Sequence, residues 1–252
     1  MTQALFRDDA YRAETEAVVL MSESRGVALD RTIFYPQGGG QSGDRGMLLL
    51  EDGAAIPIVN TIYDSDRATI LHLPAEGAPL PQAGTRVIAR IDWDLRYKRM
   101  RAHTALHLLS VVAPYPVTGG SVGDADGRLD FDSGEAVLEK AEVERRLNEL
   151  IALDAAVSHR WIADAELVAN PGLIKTMSVK PPMGTGRVRL VAIEGLDLQP
   201  CGDACRPHRR DRSRGGNRNR KEGQDQPPRA HCARRNIDGL KSNAFAQLSH
   251  HR

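Results

Sequence analysis

The chain is poor in aromatic residues and in cysteine. Aromatic side chains make up 4% of its 252 residues, so a hydrophobic core must be built mainly from Leu, Val, Ile and Ala. The three cysteines are Cys201, Cys205 and Cys232, all in the last fifth of the chain. An odd, clustered set argues against a disulfide framework and leaves metal binding open.

Long hydrophobic runs and a secretory signal are also absent from the sequence. No apolar stretch approaches the ~20 residues of a membrane helix. The first residues include Asp8 and Asp9 in place of an apolar segment, which is unlike a signal peptide. We therefore expect a cytoplasmic protein that has no membrane partner. The oligomeric state cannot be read from the sequence.

Positive charge is concentrated near the end of the chain. The formal net charge is +1, but residues from Pro200 onward contain 13 Lys+Arg against 5 Asp+Glu. A basic tail is typical of nucleic-acid binding. Residues 206–236 have Ala230, Cys232 and Ala233 as their only apolar residues apart from prolines. Burial cannot offset the entropy of ordering such a segment, so we expect residues 206–252 to form a disordered basic tail.

Residues 1–92 have the pattern of a small β domain. Short runs that alternate or are rich in β-branched residues are separated by turn residues; they lie at 16–20, 26–35, 47–50, 56–62, 69–73 and 85–91. They predict a small barrel or a strongly bent sheet. Three consecutive glycines at 38–40 permit positive φ, as in a hairpin loop or a turn against a ligand or neighbouring domain. The Lys-Ser/Thr ending of a phosphate-binding P-loop is missing.

Residues 93–205 alternate between helical and extended patterns. Helices are predicted at 95–112, at 134–155 with Ser133 as N-cap, and at 164–169. Strands are predicted at 129–132, 157–162 and 188–193. The fold class is therefore α+β, with an α+β core after the small β domain.

The first predicted helix carries His103 and His107, four residues apart. This spacing places both rings on one helix face, about 6 Å apart along the axis. Two such imidazoles can share one metal ion, usually zinc, although an isolated pair is also common as a structural feature. A distant cysteine, such as Cys201, would favour the metal site.

Three motifs in this order resemble the AlaX type of stand-alone alanyl-tRNA editing protein, which is related to the editing domain of alanyl-tRNA synthetase. The motifs are the glycine-rich segment Phe-Tyr-Pro-Gln-Gly-Gly-Gly-Gln-Ser-Gly-Asp at 34–44, Arg-Ala-His-Thr-Ala-Leu-His at 101–107, and residues 187–202 leading to Gln-Pro-Cys-Gly. The resemblance implies hydrolysis of the ester joining serine or glycine to tRNA(Ala). It also implies one Zn²⁺ per chain, held by His103, His107, Cys201 and a ligand at position 205.

The chain departs from this family at position 205. The family continues its metal motif as Cys-x-x-x-His, whereas this chain has Cys201-Gly-Asp-Ala-Cys205. Codons for residues 203–206, read one nucleotide later, permit Thr-His-Val and so restore the family pattern. We therefore hypothesise that residues from about 203 are a frameshift product. The alternative is a genuine basic, RNA-binding tail. Cys205 and His208 are both candidates for the fourth ligand.

Further roles follow from the resemblance, each beside a simpler alternative. Thr32 and Gln41 are candidate substrate contacts. The alternative for Thr32 is an ordinary strand residue, and the alternative for Gln41 is a residue that caps a turn. Asp92 is a candidate partner that orients a metal-bound histidine, or the helix N-cap. Four cations are candidate tRNA contacts or a solvated helix face: Arg96, Lys98, Arg99 and Arg101.

Two functions remain open from the sequence. The first is a zinc-dependent hydrolase of mischarged tRNA(Ala), weakened by its altered metal motif. The second is a non-catalytic RNA-binding protein that kept the scaffold. A general base between the histidines is lacking, since residues 104–106 are Thr-Ala-Leu, and this disfavours peptide hydrolysis.

Overall fold

The computed structural model describes residues 2–175 and 186–202. The first part of the chain contributes eight strands: β1 (Gln3–Ala4), β2 (Glu14–Glu23), β3 (Gly26–Leu29), β4 (Arg31–Thr32), β5 (Gly46–Leu50), β6 (Ala55–Tyr63), β7 (Ile70–Pro74) and β8 (Arg86–Ile91). Six of them close into a barrel in the order β2-β3-β7-β6-β5-β8, while β1 and β4 form a separate parallel pair. The predicted small barrel is confirmed.

Alternating side chains explain how these strands form a barrel. In β8, Val87, Ala89 and Ile91 are buried, and the residues between them are exposed or partly exposed. Since successive strand residues point to opposite faces, this alternation presents one apolar face to the barrel interior. Phe34 and Leu48 join the same core from neighbouring segments. The core is aliphatic with little aromatic content, as the composition predicts.

The described residues that follow the barrel form three α-helices and five strands. The elements are α1 (Trp93–Val112), β9 (Val117–Val122), β10 (Gly127–Phe131), α2 (Lys140–Ala152), β11 (Val157–Ala163), α3 (Asp164–Ala169), β12 (Arg187–Ile193) and β13 (Asp197–Pro200). β9 and β10 form a hairpin, and β11-β12-β13 form an antiparallel sheet. The α+β class is therefore confirmed.

Helix α1 is the central element of this second part. It contacts α2, the β9–β10 hairpin and β13. Leu106 and Leu109 pack with Val122 and Val143, whereas Leu108 packs with Val191 and Cys201. These two clusters fix α1 between the hairpin and the three-stranded sheet. None of the described helices is long and apolar enough to cross a membrane.

Two local predictions differ from the structure. Helix α2 begins at Lys140 after Glu139, not after Ser133, because Gly134 adopts φ +55 and Ala136 N–H closes a turn onto the Ser133 carbonyl. Strand β9 was not predicted, since Gly119 and Gly120 give its sequence low strand propensity. Pairing with β10 stabilises β9 instead.

The sequence also predicts a disordered tail at 206–252 and domain boundaries at 92/93 and 205/206. Residues 203–252 lie outside the described part of the chain. The barrel ends at Ile91 and α1 begins at Trp93, but the division into domains stays a prediction.

Candidate metal centre

His103, His107 and Cys201 form one cluster in the structure. Their ligand atoms all lie within 4.8 Å of one another. The two imidazole centroids are 5.2 Å apart, and His103 Nε2 lies 3.5 Å from Cys201 Sγ. The fold thus brings together the two helical histidines and a cysteine that is 98 residues away from His103 in the sequence.

Backbone pairing places Cys201 against α1. Gln199 pairs with Val191 in the β12–β13 ladder, and just beyond it Cys201 N–H donates to the Arg189 carbonyl at 3.0 Å. Arg189 Nη1 in turn donates to the Cys201 carbonyl at 3.1 Å. These reciprocal bonds fix the backbone that presents the thiol to the histidines.

His107 is buried and held by a carboxylate that sequence reasoning missed. Its Nδ1 lies 2.9 Å from Asp197 Oδ2, so in the neutral ring that a metal would bind, Nδ1–H donates to the carboxylate and Nε2 carries the lone pair. Burial alone would lower the pKa of His107, but hydrogen bonds with Asp197 and Cys201 raise that pKa to about 9. Asp197 has the position and the chemistry of a partner that orients a metal-bound histidine.

Asp197 and Gln199 could have been found from strand periodicity. Side chains at i, i+2 and i+4 of a strand lie on one face, and Asp197, Gln199 and Cys201 have this spacing. In the structure all three are buried and reach the two histidines of α1 or their direct partners. The sequence analysis predicted no strand at Asp197–Pro200, so this shared face was not identified.

His103 contacts the glycine-rich motif through Gln41. Its Nδ1 lies 3.1 Å from Gln41 Oε1, so His103 also has an acceptor at Nδ1 and keeps Nε2 toward Cys201. Gln41 is 1% exposed. In the part of the chain that the structure describes, no group hydrogen-bonds its Nε2 atom. A buried amide donor is therefore available beside the cluster.

Close backbone approach explains the glycines around Gln41. Gly40 has φ +83, and a Cβ there would lie 2.5 Å from the Gly120 carbonyl oxygen. Val122 N–H donates to the Gly40 carbonyl at 2.9 Å, so the motif is attached to β9. Gly43 is equally constrained, because its Cβ would lie 1.9 Å from the Thr61 carbonyl oxygen. The motif is thus a turn against a neighbouring part of the fold.

Thr32 is fully buried in the barrel part of the chain. Its hydroxyl lies 2.7 Å from His72 Nε2 and accepts from Phe34 N–H. His72 Nδ1 lies 2.9 Å from the Val27 carbonyl, which only accepts, so Nε2 must accept the Thr32 hydrogen. The contact of Thr32 with a substrate stays a prediction. In this structure the hydroxyl hydrogen of Thr32 is donated to His72.

Of the two roles predicted for Asp92, the structure confirms the helix N-cap. Its side chain accepts from Leu95 N–H at 3.1 Å and N-caps α1. An N-cap carboxylate satisfies an otherwise unpaired backbone donor and interacts favourably with the helix dipole. The carboxylate that does hold a histidine is Asp197.

Arg96 and Arg99 are buried, which corrects their predicted place on an RNA-facing surface. Both side chains are 0% exposed. Arg96 pairs with Asp44, and its Nη1 and Nη2 donate to the carbonyls of Ala10 and Ile33. Arg99 donates to Asp124 at 2.6 Å and to the Gly43 carbonyl at 2.7 Å. Periodicity did not reveal this, because a buried arginine depends on partners that are distant in sequence.

The remaining predicted residues have two different outcomes. Lys98 is exposed and Arg101 is partly exposed on α1, so RNA contact through them stays a prediction. Cys205 and His208, the candidates for a fourth ligand, lie outside the described residues. Within those residues the cluster therefore has three ligands.

Comparison with known proteins identifies relatives of this chain. The family model of class II tRNA synthetases (A) matches residues 3–95. The chain is 36% identical over 211 residues to the alanyl-tRNA editing protein AlaX-M of Methanosarcina mazei, covering 80% of this chain and 84% of the relative. The AlaX-M of Saccharolobus solfataricus is 32% identical over 206 residues, which are 80% of this chain and 86% of the relative. The alanine–tRNA ligase of Pyrococcus abyssi is 33% identical over 215 residues, but these are 82% of this chain and only 23% of the ligase.

Proposed function

The chain belongs to the AlaX-M family of alanyl-tRNA editing proteins, and on this premise we propose that it deacylates mischarged tRNA(Ala) in trans with the help of one Zn²⁺. The substrates are Ser-tRNA(Ala) and Gly-tRNA(Ala). The reaction adds water across the aminoacyl ester: the bond from the carbonyl carbon to the ribose oxygen breaks, and the amino acid and free tRNA leave. An aminoacyl ester is activated, so positioning and modest electrostatic stabilisation suffice.

The observation that carries this proposal is the cluster of His103, His107 and Cys201. Two imidazoles and a thiolate are a donor set that suits zinc, and they would supply three of the four ligands of a tetrahedral site. The hydrogen bonds of the two histidines also suit metal binding. Gln41 accepts from Nδ1 of His103 and Asp197 accepts from Nδ1 of His107, so both Nε2 atoms can serve as ligands. When bound, the metal would supply Lewis-acid chemistry or a binding point for the substrate's amino group.

Gln41 is the residue we assign to substrate contact. Its amide oxygen is engaged by His103, and its amide nitrogen is buried without a hydrogen-bond partner among the described residues. An unsatisfied buried donor costs about 1–3 kcal/mol, and a substrate oxygen would relieve that cost. Gln41 would then orient the ester carbonyl or the serine hydroxyl next to the metal ligands.

Position 205 is where we expect the activity of this chain to be reduced. Cysteine replaces the histidine of the family motif there, and a thiolate within an altered sequence is a poorer match to the family site. The frameshift hypothesis offers an origin for the change, and an uninterrupted reading frame with native codon usage through residue 252 would contradict it. Substituting Asp203→Gly, Ala204→Thr and Cys205→His together restores the family pattern and should raise both zinc affinity and deacylation.

The test compares the full chain with two histidine variants. We expect slow release of serine from Ser-tRNA(Ala) by the wild type, faster than the uncatalysed ester hydrolysis. His103→Ala should abolish this excess rate and reduce bound zinc. The matched control is His159→Ala, which alters an exposed histidine on β11 and should change neither quantity.

The same measurements separate the alternative function. A wild type that binds tRNA(Ala), holds no zinc and releases serine only at the uncatalysed rate would refute the hydrolase and support a non-catalytic RNA-binding protein. RNA binding through the basic tail would also fall steeply with salt and on deletion of residues 206–252.

A further inference from the structure

We propose that Lys175, acting through Asp197, is a positioning residue for the metal ligand His107. The inference rests on the metal centre of the proposed function. It concerns a lysine that contacts neither His107 nor Cys201 in the described hydrogen bonds, and that neither the sequence motifs nor the cluster itself identifies.

Asp197 connects the two residues. Its side chain is 0% exposed, and its two oxygens have different partners. Oδ2 accepts from His107 Nδ1 at 2.9 Å and from Gln199 Nε2 at 2.7 Å. Oδ1 accepts from Lys175 Nζ. Because each oxygen has its own donor, the carboxylate is held in one rotational position about its terminal bond.

Lys175 places a positive charge against this buried carboxylate, because its Nζ donates to Asp197 Oδ1. A histidine that ligates a metal is neutral, so Lys175 is then the charged side chain that contacts Asp197 among the described residues. An ionised carboxylate is the stronger acceptor for the Nδ1–H of a metal-bound histidine.

The backbone around Lys175 is anchored well enough to position the ammonium group. The Lys175 carbonyl accepts from Val117 N–H at 3.2 Å. Leu173 and Ile174 pack on the cluster formed by Ile162, Leu167, Val188 and Leu190. The side chain is 32% exposed, so the lysine lies at the border between the buried carboxylate and solvent. Removing the ammonium group would leave Asp197 Oδ1 without this donor.

Removing the charge should weaken metal binding while leaving the three ligands intact. We expect Lys175→Met to lower Zn²⁺ affinity about tenfold, the lower end of the range for partners of metal ligands. The affinity is measured on the metal-free full chain by competition with a chromophoric chelator, for Zn²⁺ and for Co²⁺. The absorption spectrum of the Co²⁺ form reports the ligand geometry directly. Lys175→Arg, which keeps charge and donors, should retain most of the affinity.

Two controls separate positioning from a general loss of structure. Lys140→Met removes an exposed lysine at the start of α2 and should bind Zn²⁺ with wild-type affinity. Urea unfolding of each metal-free variant then shows whether stability alone has changed. If Lys175→Met unfolds at lower urea but binds both metals like the wild type, with an unchanged Co²⁺ spectrum, the positioning role is refuted.

Failure of the inference and failure of the proposed function have different signatures. A wild type that binds zinc but does not deacylate either substrate refutes the function, while the comparison of Lys175 variants still decides the inference. A wild type that binds neither Zn²⁺ nor Co²⁺ overturns both the metal centre and the role of Lys175. Weaker zinc binding in Lys175→Met together with rescue by Lys175→Arg supports the inference whatever the outcome of the deacylation assay.

Discussion

Replacing Arg96 by methionine tests how the barrel and helix α1 are held together. Arg96 lies on α1 and is 0% exposed. Its guanidinium pairs with Asp44 of the barrel part and donates to the Ala10 and Ile33 carbonyls at 3.0 and 2.7 Å. Methionine keeps much of the side-chain volume but removes all of these donors. The carboxylate of Asp44, 2% exposed, would remain buried without its main cation.

The magnitude follows from the burial of both partners. Removing one partner of a buried ion pair costs about 3–5 kcal/mol, because a charge is left uncompensated in the interior. Arg99 Nη1 lies 3.9 Å from Asp44 Oδ1, and Tyr35 N–H donates to the same carboxylate at 2.7 Å. These contacts remain, so we expect a loss near the lower limit, about 3 kcal/mol. With a urea dependence of roughly 3 kcal/mol per molar, the unfolding midpoint should fall by about 1 M.

The matched control is the exposed pair of Arg90 and Glu14. Their side chains approach to 2.6 Å but are 54% and 47% exposed. Such a surface pair contributes about 0.2–1 kcal/mol, so Arg90→Met should change the free energy of unfolding by no more than that. Urea titrations followed by circular dichroism measure both variants under one condition. If Arg96→Met and Arg90→Met lowered the free energy of unfolding equally, the buried pair would contribute no more to stability than the exposed pair, and the reasoning would be refuted.

Two further predictions concern pH and RNA. Burial lowers the pKa of His72 from 6.5 to about 4, so between these values the unfolded chain binds a proton that the folded chain does not. The contribution of His72 to the free energy of unfolding is therefore fully present above pH 6.5 and falls by roughly 3 kcal/mol as the pH is lowered to 4. The difference in unfolding free energy between wild type and His72→Gln should shrink over this range, and a pH-independent difference would contradict the assignment. Lys98→Glu and Arg101→Glu should each weaken tRNA binding several-fold and reduce its salt dependence, whereas Arg67→Glu, in the turn between β6 and β7, should not. Unchanged binding in all three variants would remove α1 from the RNA-contacting surface.

Periodic patterns were predictable because they depend on neighbours in the sequence. Alternation in residues 86–91 predicts β8 and its buried face, and the same kind of signal predicts the barrel. The spacing of His103 and His107 predicts a shared helix face, which the structure contains. Helix α2 shows the limit of this reasoning: a helix was predicted from residue 134, but its start at Lys140 was set by the positive φ of Gly134.

Partners of buried polar groups could not be predicted from local sequence. Arg96 and Arg99 have the spacing of a solvated helix face, yet their carboxylate and carbonyl partners lie 25 to 86 residues away. Asp92 was a candidate partner for a histidine, but its side chain accepts from Leu95 N–H instead. Asp197, which no sequence motif indicated, lies beside His107. In both cases, three-dimensional proximity determined the role of a charged side chain.

The sequence by itself determined the family, the glycine-rich motif and the choice of His103, His107 and Cys201 as candidate metal ligands, because these depend on residue identity and spacing. Only the tertiary structure decided how the ligands are oriented. Asp197, Gln41 and Lys175 acquire their roles by closing hydrogen bonds across elements that are distant in the chain. A buried polar group without a hydrogen-bond partner costs free energy, so these side chains pair with groups that only the folded chain brings close to them.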